Sequence, residues 1–281
     1  MSWRSFWWLF RRSFILAYRD NCFGIAKGAA FSSLLSFFPL LTATATILVQ
    51  VRAEPVSRVI IGALRQVVPP GTEQLVLDRF RVAGERSSTL LVAASLISIW
   101  AAAGVFKSLM EGFQAAYHVP VGRSFLRYQG VAVMLVFMAA LPAVAASALI
   151  LFGSRVEQHV LRWIGLVEAG AQLEGWVLVA GTALRFAVSF GTIVLVTATL
   201  YYVGPYRRQQ WRFVMPGALV ATVLWMAATI GFTWYVRNIA DYNLFYGSIG
   251  AVIALLGWMY VLAAIALIGC EFNAEYERIR G

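Results

Sequence analysis

The 281 residues are 60% hydrophobic and only 13% charged, and their mean hydropathy is +0.74. Soluble domains carry about a quarter charged residues, so this composition excludes an ordinary soluble enzyme and requires lipid as the surrounding solvent. The formal net charge of +10 comes almost wholly from arginine. Because the aromatic residues lie within or beside apolar segments, this charge suits anionic lipid headgroups and not nucleic acid.

The N-terminal segment, residues 1–28, predicts an amphipathic helix that lies at the membrane surface. On a helical wheel its aromatic residues gather on one side and its arginines on another. The segment lacks the apolar core and small-residue cleavage site of a signal peptide, so we expect it to remain attached. Residues 29–281 are predicted to form a single membrane domain.

Six apolar stretches follow, and each approaches or meets the roughly 20 residues that a helix needs to cross a bilayer core. They are continuous and lack the alternation of barrel strands, so the predicted fold class is all-α, a polytopic membrane helical bundle. The predicted spans are residues 29–51, 90–110, 131–153, 186–203, 213–236 and 248–270.

The distribution of lysine and arginine predicts that both chain ends lie in the cytoplasm, because positive residues are retained on that side. The first outer loop, residues 52–88, breaks this bias with six arginines, which four acidic residues partly offset. Its apolar residues recur at helical spacing before a Pro-Pro-Gly stop at Pro69, so we expect short amphipathic helices there. An interfacial connector is favoured over a cover across a substrate portal.

Small residues recur four apart along several spans, and in lipid such stripes let helix backbones approach closely. The predicted helix-packing residues are Gly24, Gly28, Ala94, Ser98, Ala102 and Gly250. Cys22 and Cys270 are expected to be free thiols, and His118 and His159 to lie in different loops. None of these four residues has a ligand spacing, so neither a metal site nor a cofactor is predicted.

Three segments, in order along the chain, resemble the YihY/virulence factor BrkB family: residues 29–41, residues 100–120, and the stretch from Pro216 to Ala274. The resemblance implies a multi-pass protein of the bacterial inner membrane with about six spans, whose biochemical activity is unsettled. Members have carried the label ribonuclease BN, which is generally held to be an error. Isolated histidines and dispersed acidic residues offer no convergent metal ligands here, so we expect no nuclease and no enzyme.

Ionisable and polar groups in or near the spans are costly and are therefore functional candidates. The predicted substrate path consists of Lys27, Ser32, Ser36, Glu111, Tyr242, Tyr246, Ser248, Glu271 and Asn273. On the predicted topology Lys27, Glu111 and Glu271 come together near the cytoplasmic surface, where a Lys–Glu pair lowers the cost of burial. The alternative is that each snorkels to water or pairs structurally, and that the tyrosines only anchor the chain at the interface.

Two classes of function therefore remain open. The first is a transporter or flippase for a lipid-like or amphiphilic envelope molecule. The second is a non-catalytic membrane scaffold for envelope assembly. A cavity lined by Ser32, Ser36 or Tyr246 favours transport, whereas a solid core with an exposed small-residue stripe favours the scaffold. Membrane lipids are the expected partners, and homo-oligomers or envelope-assembly partners are compatible with the stripes.

Overall fold

The computed structural model describes residues 3–50, 88–120, 122–163, 175–238 and 247–280. Within these residues the chain forms seven α-helices, and six of them, α2 to α7, are long and apolar enough to cross a membrane. This confirms the predicted all-α bundle with six spans. The helices are α1 Trp3–Arg19, α2 Cys22–Gln50, α3 Ser88–Ala116, α4 Phe125–Trp163, α5 Gly175–Val203, α6 Trp211–Asn238 and α7 Gly247–Arg280.

Two predictions concerned the connections between the spans, and the described residues test only one of them. The expectation that His159 lies in a loop is wrong, because α4 continues through Trp163. Residues 154–163 contain neither proline nor glycine, so nothing in that stretch stops a helix even though its charged residues resemble a loop. The helices expected in the first outer loop fall on residues outside the described ranges.

The six long helices form a closed ring in which each contacts the next, from α2 through α7 and back to α2. α7 also contacts α3, and its apolar segment is the most buried of the six. α4 contacts α3 and α5 and has the least buried apolar segment of the six, and much of its surface, including Phe137, Leu141 and Val144, is exposed to the surrounding lipid. The core of the protein is therefore organised around α7.

Hydrogen bonds from neighbouring helices reach one face of α7. The Tyr201 hydroxyl of α5 donates to the Ala266 carbonyl at 2.7 Å, and the Trp225 indole of α6 donates to the Leu262 carbonyl at 2.9 Å. Positions four residues apart share a helix face. Since apolar burial does not drive association in lipid, such bonds and close packing hold the helices together.

The α6–α7 crossing depends on two glycines that face each other. A Cβ at Gly217 would collide with the Gly269 carbonyl and with Asn273, while a Cβ at Gly269 would collide with the Tyr201 hydroxyl and lie 2.8 Å from the Ala221 Cβ. Neither site has room for a methyl group. The missing side chains therefore set how closely the two backbones approach.

α1 packs against the C-terminal part of α7. Arg12 Nε lies 2.7 Å from Glu275 Oε1, and the Phe6 and Phe272 rings are 5.7 Å apart. The connections between α3 and α4 and between α5 and α6 lie at the same end of the bundle, because Arg278 reaches His118 and Arg207 reaches Glu277. We call this end, which carries α1 and the C-terminal part of α7, the α1 end.

The glycine crossing yields a stability prediction. Gly217→Ala and Gly269→Ala should each destabilise the fold by about 1–3 kcal/mol, because an added methyl forces two packed helices apart. Apparent melting temperature in detergent measures this. Gly231→Ala on α6 and Gly257→Ala on α7 are matched controls, since a Cβ at either glycine meets no atom within 4 Å. A Gly269→Ala variant that melts with the parent would contradict the close crossing.

Candidate functional site

The residues of the predicted substrate path that the structure describes lie in different surroundings. Glu271 and Asn273 are completely buried in α7, whereas Lys27 and Glu111 have exposed side chains. Among the ion pairs that the described residues form, none joins Lys27 or Glu111 to Glu271, so the expected Lys–Glu pair is not formed. The structure does not describe Tyr242, Tyr246 or the side chain of Ser248.

The two serines of the predicted path lie on α2. Ser32 packs against Gly104 of α3, where a Cβ would lie 3.0 Å from its hydroxyl oxygen. The Ser36 hydroxyl donates to the Ser33 carbonyl at 2.9 Å, so its hydrogen is used within its own helix. Ser32 therefore lies in a contact between α2 and α3. The transport hypothesis had predicted that it lines a cavity.

The predicted packing residues have different surroundings, and a contact between spans is seen at Gly28. Gly28 faces Ser108 of α3, and Gly250 is buried in α7. Ser98 is buried and donates to the Ala94 carbonyl at 2.7 Å, while Ala94 and Ala102 are half-buried. Gly24 differs, because the Asn21 side chain fills the space beside it and leaves no room for a Cβ.

A buried cluster of acidic and thiol groups forms where α1 turns into α2. Asn21 adopts a φ of 54°, a left-handed conformation that asparagine tolerates, and this turn brings Asp20 and Cys22 to α7. The Cys22 thiol donates to Glu271 Oε1 across 3.6 Å. The carboxyl groups of Asp20 and Glu271 interact electrostatically. We call Asp20, Cys22 and Glu271 the carboxyl corner.

The carboxyl corner contains two carboxyl groups that face each other. Glu271 Oε2 and Asp20 Oδ2 are both buried, and no donor from the other described residues reaches either oxygen. The two side chains lie within hydrogen-bonding reach of each other, so a proton on one carboxyl can be donated to the other. The pair is costly when both groups are charged, which makes it a candidate protonatable site. Within the described ranges, no group of three His, Cys, Asp or Glu side chains is placed to hold a metal ion.

Glu275, one helical turn beyond Glu271, shows what a structural carboxylate looks like in this region. Its side chain is only 2% exposed, but Oε1 lies 2.7 Å from Arg12 and Oε2 lies 3.4 Å from Arg278. The two guanidinium groups compensate its burial. Glu271 has no comparable direct cationic contact among the described residues.

Asn273 connects α7 to the start of α6. The Gly217 N–H donates to Asn273 Oδ1 at 2.6 Å, and Asn273 Nδ2 donates to the Val214 carbonyl at 2.9 Å. Pro216 lies between these two backbone groups and has no N–H, which weakens the helix ladder there. Asn273 therefore satisfies both a donor and an acceptor beside the proline.

Arg123, in the connection between α3 and α4, binds the C-terminal end of α5. Its guanidinium donates to the Val203 carbonyl at 2.8 Å and to the Gly204 carbonyl at 3.0 Å, and it lies over the Tyr206 ring. Helix ends expose carbonyls without partners, and a cation is favourable there. Burial lowers the pKa of Arg123 below its usual value, yet a guanidinium stays protonated.

Arg278 of α7 binds the C-terminal end of α3 in a similar way. It donates to the Ala116 carbonyl at 3.3 Å and lies 3.2 Å from His118 Nδ1, where a left-handed φ of 54° ends the helix. Arg207 forms an ion pair with Glu277 at 2.7 Å. Arginines thus connect the helix ends at the α1 end.

A groove of about 470 Å³ lies between α4 and α5, well away from the carboxyl corner. Its walls are almost entirely apolar, and the hydroxyls of Thr192 and Thr199 in its wall donate to the Val188 and Leu195 carbonyls of their own helix. Pro142, also in the wall, cannot donate to the Met138 carbonyl as an ordinary helix residue would. The groove therefore combines an apolar surface with a few weakly polar positions.

Sequence reasoning missed several residues that form these sites. It described Cys22 only as a free thiol and did not single out Asp20, Arg123 or Tyr201. The sequence does contain a signal for Tyr201 and Asp20. A tyrosine hydroxyl within a span, or an acidic residue just before a span, needs a polar partner. The partners themselves lie far away in sequence, as in the contact between Cys22 and Glu271.

Glu271→Gln separates a functional carboxylate from a structural one. Glutamine keeps the shape and the acceptor for Cys22, while its amide supplies a donor near Asp20, so we expect an apparent melting temperature equal to or above the parent's. Glu275→Gln is the matched control and should cost about 1–3 kcal/mol, because two arginines lose their charged partner. Equal destabilisation by both substitutions would assign Glu271 a structural role.

Arg123→Gln should lower stability by about 1–3 kcal/mol, because the terminal carbonyls of α5 lose a charged donor. The exposed Arg127 provides the control, since Arg127→Gln removes the same charge close by. Melting in detergent compares the two variants. If both variants melt with the parent, the contact between Arg123 and α5 contributes nothing to stability.

Comparisons with known proteins identify relatives of the chain. The family profile described as Virulence factor BrkB matches residues 16–281. A ribonuclease-like protein, YfkH, of Bacillus subtilis (strain 168) is 29% identical over 255 residues, which cover 89% of this chain and 89% of that protein. No solved structure matches the chain.

Longer relatives carry the name UPF0761 membrane protein. That of Chromobacterium violaceum is 28% identical over 278 residues, and that of Chlorobium phaeobacteroides is 25% identical over 270 residues. The matches cover 95% and 96% of this chain but only 62% and 56% of those proteins. With a family profile matched over residues 16–281 and six apolar helices among those described, the chain belongs to the BrkB virulence-factor family and is a multi-pass protein of the bacterial inner membrane.

Proposed function

We propose that the chain moves a lipid-like or amphiphilic envelope molecule between the two leaflets of the inner membrane. The observation that carries this proposal is the groove between α4 and α5. It lies at the lipid-facing side of the ring, where Phe137 and Leu141 are exposed, so a lipid reaches it without crossing the core. An apolar wall suits the acyl chains of a lipid.

The α1 end faces the cytoplasm in this proposal. Positive residues are retained on the cytoplasmic side, and the described residues of the α1 end are rich in them. They include Arg4, Arg11, Arg12, Arg19, Arg123, Arg207, Arg208, Arg278 and Arg280. The carboxyl corner then lies near the cytoplasmic surface.

Glu271 has a separate place in the proposal from the groove. A buried carboxyl that faces a second carboxyl can exchange a proton or a small cation, which is how transporters that lack a nucleotide site couple to a gradient. The sequence has no Walker motif, so the energy comes from a gradient, a partner or passive equilibration. Ribonuclease activity is not part of the proposal, and the ribonuclease-like name is that of the Bacillus relative.

A non-catalytic scaffold for envelope assembly is the second candidate. The observation that favours it is the outer face of α4, where Ala140, Ala143 and Val144 are exposed and allow another helix to approach closely. Cysteine crosslinking at Ala143 in native membranes tests it. A specific homodimer, or a specific crosslinked partner, would favour the scaffold, and random crosslinking would count against it.

Lipid scrambling in proteoliposomes tests the proposed transport. Parent protein should accelerate the exchange of fluorescent anionic or zwitterionic lipids between leaflets, and Met138→Trp should reduce the rate at least tenfold because the indole fills the groove. Val223→Trp on the exposed face of α6 is the control and should match the parent. Rates equal to empty liposomes across the panel would contradict transport of these lipids.

Two further variants in the same assay examine the predicted path. Glu271→Gln should slow transport without loss of the fold, and Tyr246→Ala should do so if the tyrosine lines the opposite mouth. Parent-like rates in both folded variants would remove these residues from the path while leaving the groove untouched.

A further inference from the structure

A second cavity, of about 530 Å³, lies at the α1 end between α1 and α7. This volume is in the range of ordinary small-ligand sites. The residues that matter in its wall are Arg4, Trp8, Leu9, Tyr276, Ile279 and Arg280. We call it the α1–α7 cleft.

The cleft has a net positive wall. Arg4 and Arg280 contribute two guanidinium groups, and none of the described residues that line the cleft is acidic. The nearest glutamates along α7 are already engaged, Glu275 with Arg12 and Arg278, and Glu277 with Arg207. Arg280 lies over the Tyr276 ring at 5.4 Å, which restricts its guanidinium. This charge is therefore available for an anion.

The same cleft also has an apolar entrance. Trp8 and Ile279 are 51% and 55% exposed, while Leu9 is buried at the base. α7 has 34 residues and is about 50 Å long, compared with a hydrocarbon core of about 30 Å, so its last turns reach the headgroup region. Exposed tryptophan and isoleucine at that depth contact lipid. The ligand must therefore carry both an anionic and an apolar part.

We propose that the α1–α7 cleft binds one anionic phospholipid. Arg4 and Arg280 hold the phosphate of its headgroup, because guanidinium groups suit phosphate oxygens. The first part of an acyl chain follows Trp8 and Ile279 into the bilayer. The bound lipid connects α1 to α7, in addition to the ion pair between Arg12 and Glu275. This site is separate from the groove between α4 and α5 and does not depend on transport.

Native mass spectrometry of the full chain in detergent tests the proposal, with palmitoyl-oleoyl phosphatidylglycerol and the matching phosphatidylcholine as probes. The parent should retain one phosphatidylglycerol in preference to phosphatidylcholine. The double substitution Arg4→Gln with Arg280→Gln should weaken that binding at least tenfold, which corresponds to about 1.4 kcal/mol. The phosphatidylglycerol affinity of the Arg4→Lys with Arg280→Lys variant should lie between those of the parent and of the double glutamine variant, since the charge stays but the bidentate geometry is lost.

Arg11→Gln with Arg208→Gln is the matched control. Both arginines are exposed at the α1 end and outside the cleft, so the same loss of charge should leave lipid binding within twofold of the parent. Phosphatidylglycerol should also raise the melting temperature of the parent and the control, but not that of the Arg4/Arg280 variant. The single substitutions serve if the double variant does not fold.

Three results would overturn the proposal. The first is equal phosphatidylglycerol affinity in the parent and the folded Arg4/Arg280 variant. The second is an equal loss of affinity in the control, which would mean a diffuse effect of charge. The third is displacement of the lipid by millimolar inorganic phosphate or by an acidic peptide, which would assign the cleft to a soluble anion or to a protein partner. Failure of lipid scrambling bears on none of them.

Discussion

The close approach of α7 to its neighbours is the constraint on which the rest of the bundle depends. Helices in lipid gain little from apolar burial against one another, so contact distance and interhelical hydrogen bonds decide whether they associate. Gly217 and Gly269 remove the side chains that would separate α6 from α7, and Tyr201 and Trp225 donate to carbonyls on the same helix. The ring closes because α7 accepts contacts from α2, α3 and α6 together.

The arginines of the α1 end have a second role besides orienting the chain in the membrane. Arg123 and Arg278 donate to carbonyls at the ends of α5 and α3, and Arg12 compensates the buried Glu275. These contacts satisfy groups that water satisfies in a soluble protein. Against this background Glu271 differs, since its carboxyl faces that of Asp20, whereas the carboxylate one turn away is paired with Arg12 and Arg278.

The spans were predictable because continuous apolar runs have one stable form in lipid, so all six coincide with long helices. The extension of α4 to Trp163 was not predictable. The charged residues around Arg155 resemble a loop, although they are good helix formers. The contact between Asn273 and Gly217 joins residues 56 apart, and no periodicity in one sequence reveals such a partner. Burial of Glu271 follows from the same long-range packing, while its place in a substrate path, inferred from its charge, stays a prediction. Tyr242 and Tyr246 stay predictions.

The central position of α7 also determines the order in which the protein matures during synthesis. α2 and α3 contact each other extensively and leave the ribosome before α7, so their hairpin can associate early in the bilayer. α7 is the last of the described helices to be synthesised. Until it is in place the ring cannot close, α1 cannot dock through Glu275, and Glu271 cannot be enclosed. Until then α1 lacks its contacts with α7 and is held at the membrane surface by its apolar side, by anionic lipid and by α2, against which the Phe14 ring packs through Phe23.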